Sequence, residues 1–198
     1  RNCVRSDESR AGLRSFLGEG LLSIEGPPHL RHRRLMAPAF HRQRFHEYGA
    51  LMCKETYAEL ANWRSGETRD LRADMLRLTF AIVSKALFSA DTSEEAREVG
   101  PAIEEVLPWL FLGAIVAAIV PKLPVMYPPK ARAAIQRLRR IVLQIVARRR
   151  QEGGDRGDLL SMLLETRDED GSALSDSDVC DEALTLMLAG HDTTANTM

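Results

Sequence analysis

Cysteine is scarce. Only Cys3, Cys53 and Cys180 occur, far apart in the chain. That spacing excludes a disulfide framework and a CxxC metal site. It points to a reducing compartment, read here as the cytoplasm. Glycine and proline are not in excess, at 13 and 9 of 198 residues, which excludes collagen-like and low-complexity chains. Neither sign of charge dominates: 27 basic residues stand against 28 acidic ones, for a net charge of −1. No global field therefore draws in nucleic acid or an anionic membrane. Long apolar runs are missing as well. The most apolar stretch, Val106 to Val120, has fifteen residues, whereas a membrane span needs about 20. It reads as a buried helix and loop, so membrane contact is not expected of this segment. No repeat is visible, and alternating strand patterns are rare.

What is present is a globular composition. The chain is 44% hydrophobic, enough for one ordinary domain with its own core. Among the 27 cations are only four lysines, at positions 54, 85, 122 and 130, so 23 are arginine. Arginine suits bidentate carboxylate recognition. The chain begins at Arg1 and ends at Met198 inside a helical pattern, which suggests a piece of a longer protein.

Helical periodicity dominates. Arg10 to Leu17 forms a short helix ended by Gly18 and Gly20. Gly26-Pro27-Pro28 is a start signal for a helix from His29 to Ala37, stopped near Pro38. A long helix fits Arg42 to Trp63, with Phe45, Tyr48, Met52, Tyr57 and Leu60 as its apolar positions. Another fits Asp70 to Phe88, with Leu71, Met75, Leu78, Ile82 and Leu87. Ser93 opens a helix towards Trp109, and Leu123 to Pro129 is a connector. Lys130 to Gln151 carries Arg132, Arg137, Arg139, Arg140, Arg148, Arg149 and Arg150, a superficial nucleic-acid stripe. No aromatics interleave, and Ile135, Leu138, Ile141, Val142, Ile145 and Val146 give the helix a core face. The arginines therefore read as a solvated face. Asp158 to Thr166 is a short helix. Asp168-Glu169-Asp170-Gly171 is a turn, since it lacks the remaining ligands of a calcium loop. Ser175 is the N-cap of a last helix, with Asp176 and Asp178 in its first turn.

That last helix holds Ala189-Gly190-His191-Asp192-Thr193-Thr194-Ala195. Asp and Thr are poor helix-interior residues, and Gly costs about 1 kcal/mol there. Such local rule-breaking points to a functional site; the alternative is an ordinary helix end fraying towards a turn. His191 has no second ligand at helical spacing and reads as structural, or as a support to a neighbouring functional side chain. Earlier in the chain, His29 and Arg33 stand four apart within His29-Leu30-Arg31-His32-Arg33-Arg34-Leu35, hence on one helical face. Two such donors suit carboxylates.

The two stretches together, in this order, resemble the cytochrome P450 family of haem-thiolate monooxygenases. Ala189 to Thr194 resembles the family's oxygen-binding helix, whose pattern is Ala/Gly, Gly, any residue, Asp/Glu, Thr, Thr/Ser. Leu174-Ser175-Asp176 and Asp181-Glu182-Ala183 are similar to its approach. His29 to Phe40 resembles the haem-propionate helix in its His-xxx-Arg form. Thr79-Phe80 and Leu87-Phe88 sit where the family has a core helix.

The resemblance implies a mainly α chain: the central helical part of that fold, ending before the C-terminal haem-binding region. Residues 1–198 would form a partial domain, with the propionate helix near 29–37, a distal-pocket lid near 101–129 and the oxygen helix near 175–198. The cofactor implied is haem (heme, iron protoporphyrin IX). His29 and Arg33 would hold its carboxylates, Ala189, Gly190 and Thr193 would line it, and Asp192 and Thr193 would deliver protons. The family's cysteine loop, Phe-xx-Gly-x-Arg-x-Cys-x-Gly, is absent from these residues. None of the three cysteines is therefore the iron ligand, and the 198 residues alone are expected to be inactive. Glu94-xx-Arg97 precedes the oxygen helix and is set aside. The implied partners are O2, a hydrophobic substrate such as a fatty acid, terpenoid or polyketide-like molecule, and an NAD(P)H-driven electron donor of ferredoxin, flavodoxin or reductase type. Trp109, Phe111, Leu112, Ile115, Val116, Val125 and Met126 supply the apolar lid. The alternative is an inert truncated product with residual haem or ligand binding. A helical nucleic-acid regulator fits the two ordered motifs poorly.

Overall fold

The computed structural model describes residues 7–89, 94–119 and 127–198. Among the described residues eight α-helices follow one another: α1 Asp7–Leu17, α2 Gly26–Met36, α3 Arg42–Leu60, α4 Leu71–Phe88, α5 Glu94–Ile119, α6 Pro129–Glu152, α7 Leu159–Glu165 and α8 Asp176–Ala195. A 3-10 turn, Ala37–Phe40, extends α2. Among the described residues no strand forms, and Arg167 and Ala173 make one isolated bridge across the acidic turn. The mainly α expectation holds.

Helix ends follow local chemistry. Asp70 accepts the Ala73 amide at the start of α4, and Asp158 accepts the Ser161 amide at the start of α7. Ser175 and Asp178 form a reciprocal capping box on α8, which satisfies donors that a helix start otherwise leaves unpaired. Helix α8 is central. It packs along α4 and α6, and α5 and α6 lie against each other. The predicted core face of α6 is buried throughout, with Leu138, Val142 and Val146 fully inside.

Three expectations need correction. The helix expected over 42–63 ends at Leu60, and of its five apolar positions Tyr48 packs on the core while the other four do not. Phe45 is 55%, Met52 49%, Tyr57 73% and Leu60 46% exposed. The face turned to α4 is instead charged: buried Glu59 binds Arg77 at 2.5 Å, and buried Glu55 binds Lys85 at 2.6 Å. Arg149 is not solvated. It is 2% exposed and paired with Asp158 at 2.6 Å. The helix expected from Ser93 towards Trp109 runs unbroken to Ile119. Pro108 removes one N–H, the partner of the Glu104 carbonyl, and the flanking turns continue. Leu112 is 50% exposed on it. Residues 120–126, which include Leu123 to Met126 of the expected connector, and Cys3 lie outside the described residues. No described helix is long and apolar enough to cross a membrane.

Candidate functional site: the α2 and α8 faces

Helix α2 begins where Pro27 and Pro28 occupy its first turn. It carries five cationic or imidazole side chains, and the structure divides them. Arg31 reaches Asp168 through Nε at 3.1 Å, and Nη2 donates to Ser172 Oγ at 3.0 Å. Arg34 Nη2 donates to Asp168 Oδ1 at 2.5 Å. Two guanidinium groups and backbone donation from Glu169 hold the Asp168 carboxyl below the usual range; the Glu169 amide is the largest influence. His32 is buried, and its Nδ1 meets Glu182 Oε1 at 2.7 Å. That bond raises the His32 pKa against the opposing effect of burial. His29 and Arg33 are left over. His29 is half-buried and Arg33 exposed, and neither has a hydrogen-bonding or ion-pair partner among the described residues.

Helix α8 is buried from Val179 through Leu184, and again at Met187. At Ala189 it opens: Ala189 and Thr193, one turn apart, are exposed. The Thr193 hydroxyl donates back to the Ala189 carbonyl, a bond that occupies its hydrogen and leaves its lone pairs facing out. Asp192, behind this face, is 7% exposed. Its Oδ2 accepts Asn196 Nδ2 at 3.0 Å. Gly190 has a packing reason to be small. A Cβ there would stand 3.1 Å from Cγ2 of Val83 on α4. His191 points the same way. Its Nδ1 lies 3.2 Å from Thr79 Oγ1, and its ring meets Phe80 edge-on at 5.5 Å. Thr79 Oγ1 also lies 2.9 Å from the Met75 carbonyl, to which it can donate. Burial lowers the His191 pKa, which keeps the ring neutral at neutral pH. His191 is thus structural, as its isolation in the sequence suggested.

The two faces suit the edge and one side of a flat, dicarboxylate cofactor: an unpartnered His–Arg pair, and a helix with small and hydroxyl residues outward. The described cysteines do not suit iron ligation. Cys180 is buried with Sγ 3.8 Å from the Arg139 carbonyl, and burial pushes its thiol up to about 12. Cys53 is exposed on α3. Among the described residues no cluster of three His, Cys, Asp or Glu could hold a metal.

Residues 4–198 match the family described as Cytochrome P450. The chain belongs to the cytochrome P450 family. It is 35% identical over 190 residues to a cyclooctatin synthase of Streptomyces melanosporofaciens, across 92% of this chain and 41% of that protein. It is 33% identical over 186 residues to a pentalenene oxygenase of Streptomyces avermitilis, across 93% and 41%. The chain therefore spans about two-fifths of the length of these curated relatives. Its fold matches the crystal structure of cytochrome P450DA heme domain with TM-score 0.79 at 24% identity, covering 97% of this chain and 43% of that one. Within this cytochrome P450 segment, residue patterns alone left three polar side chains without a role: His32, Asp168 and Glu182. A signal existed for Glu182. An Asp-Glu pair, Asp181-Glu182, interrupts the apolar face of α8, and a carboxylate at such a position needs a buried partner.

Proposed function

We propose that the full-length protein is a haem-thiolate monooxygenase that inserts one oxygen atom from O2 into a hydrophobic substrate. The carrying observation is the change in α8 at Ala189. A helix buried on its way through the core there presents an exposed small residue and an exposed hydroxyl, with a nearly buried carboxyl directly behind. Haem, when bound, supplies the iron at which dioxygen and electrons react. This chain's part is to hold and to protonate. His29 and Arg33 hold the cofactor carboxylates by charge-assisted hydrogen bonds. Ala189 keeps the exposed α8 surface flat, whereas Gly190, expected to line the cofactor as well, is turned to Val83 of α4 and serves the packing of the two helices. Thr193 Oγ1 presents a hydroxyl to the reacting oxygen once it releases the Ala189 carbonyl, and Asp192 returns a proton to it. The thiolate and the electron-transfer face belong to sequence beyond these residues, with an NAD(P)H-driven ferredoxin, flavodoxin or reductase as donor. The relatives' names, pentalenene oxygenase and cyclooctat-9-en-7-ol 5-monooxygenase, support an apolar substrate rather than a charged one. The scarcity and wide separation of the cysteines support a cytoplasmic enzyme.

The decisive experiment supplies isotopically labelled dioxygen, reductant and apolar candidate substrates to the haem-loaded full-length protein. One labelled atom per product molecule is expected, with the other in water. Product carrying no label, or two labelled atoms, sinks the reading.

The α2 assignment has its own test. Arg33→Ala should speed haem loss to an acceptor protein by about tenfold, because a cofactor carboxylate loses a charged donor. His29→Ala should act in the same direction but less. Unchanged haem retention in both variants removes α2 from the cofactor site.

A further inference from the structure

Helix α2 is held in an unusual way. It has only eleven residues, and its close backbone neighbour is the 3-10 turn that continues it. It does bury Leu35 and Met36, both at its C-terminal end. Its middle is tied down by polar side chains at two places. At one, His32 Nδ1 meets Glu182 Oε1 at 2.7 Å. Glu182 is fully buried, and its other oxygen accepts the Leu21 amide at 3.2 Å. One carboxylate thereby joins α2, the loop after α1 and α8. At the other, Arg31 and Arg34 grip Asp168 from both sides. Asp168 is itself fixed by its turn, where its amide donates to the Ser172 carbonyl at 2.8 Å.

The cationic residues that make these ties are interleaved with the pair left open. His32 immediately precedes Arg33, and Arg31 and Arg34 flank both. A shift or rotation of α2 would carry His29 and Arg33 with it. Glu182 also lies two helical turns before Ala189 on α8, so the same tie sets α2 against the helix that bears Thr193.

We propose that Glu182 and Asp168 are positioning residues for the carboxylate-holding pair: together they moor α2 so that His29 and Arg33 are preset for an anionic ligand edge. This rests on the cofactor reading of α2 given above. The mooring at Glu182 is ionic while His32 is protonated. The groups bearing on His32 are Glu182 and Asp178 of α8, which favour its charged form, and Arg31 of α2, which opposes it. Because the folded-state pKa is raised, the ionic part of the tie is complete below the unfolded value of about 6.5. It is lost as pH rises through the raised folded value.

The test uses the full-length protein and the variants Glu182→Gln and Asp168→Asn. The first measurement is amide hydrogen exchange in the haem-free protein, which reads the mooring without the cofactor. Each variant should speed exchange of the α2 amides by about tenfold, the loss expected for one hydrogen bond to a charged group, while α6 amides stay unchanged. The second measurement is the pH profile of haem loss. Wild type should show a step to faster loss as pH rises through the His32 titration, and Glu182→Gln should lack that step. Unchanged α2 exchange in both variants overturns the mooring. Faster α2 exchange with unaltered haem loss shows that α2 does not hold the cofactor, which overturns the reading beneath it. If Glu182→Gln fails to fold, Asp168→Asn decides alone, since Asp168 sits in a surface turn rather than in the α8 core.

Discussion

Thr193→Ala in the full-length protein is expected to separate electron consumption from product formation. Thr193 is exposed, and its hydroxyl binds only within its own helix, to the Ala189 carbonyl. Nothing in the core depends on it, and alanine is the better helix former, so fold and haem content should be preserved. What disappears is the hydroxyl at the reacting face. A placed proton donor contributes on the order of 10² or more to a proton-dependent step. Product per electron pair should therefore fall at least roughly tenfold, with hydrogen peroxide accounting for the difference. Asp192→Asn should behave differently. Asp192 is 7% exposed and is tied to Asn196, so its loss slows proton return while the Thr193 hydroxyl remains. Total turnover should drop, with coupling less affected. The measurement is reductant consumed, peroxide released and product formed for each variant. Wild-type coupling in Thr193→Ala removes Thr193 from its assigned role.

Arg149→Ala should be the most destabilising change away from the site. Arg149 and Asp158 are each 2% exposed. Asp158 also accepts Ser89 Oγ at 2.6 Å and the Ser161 amide at 2.8 Å. Arg149 donates to Ser161 Oγ at 3.0 Å and to the Phe88 carbonyl at 3.1 Å. The network pins together the ends of α4 and α6 and the start of α7. It also holds Ser89 at φ 59°, a conformation costly for a residue with a Cβ. Removing the guanidinium leaves a buried carboxylate uncompensated, at a cost of about 3–5 kcal/mol. Replacing both partners, as in Arg149→Met with Asp158→Asn, should recover part of that loss, because no buried charge is then left alone. Denaturant midpoints of the single and double variants decide it. An Arg149→Ala variant as stable as wild type would mean that the network contributes little. The pH dependence has a definite sign. Burial raises the Asp158 pKa, but the hydrogen bonds from Ser89, Arg149 and Ser161 more than reverse this and leave it lowered. The carboxylate's contribution is thus present above the unfolded value of about 3.9 and is lost as pH falls through the lower folded value.

The residue order alone determined a good deal. Helix starts were legible wherever a cap or a proline supplies the missing partner of the first turn, as at Pro27, Asp70, Asp158 and Ser175. The core face of α6 was legible because its apolar residues recur at the helical period over about three turns, from Ile135 to Val146. The residues proposed for the site drew notice in the sequence for local reasons: His29 and Arg33 stand four apart on one helical face, and Asp192 and Thr193 are poor helix-interior residues. The direction of α3 was not. Its apolar and charged residues both recur at helical spacing, and only the position of α4 decides that Glu55 and Glu59 face inward while Phe45 and Met52 face out. Arg149 was hidden for the same reason. One buried arginine among seven looks like its neighbours until Asp158, nine positions away across a turn, comes to meet it. His32 with Glu182, and Arg31 and Arg34 with Asp168, join residues more than a hundred positions apart. Hydrophobic period and capping are local quantities, carried by a few consecutive residues. The pairing of buried charges is set by which helices end up side by side, and that is settled only when the core closes.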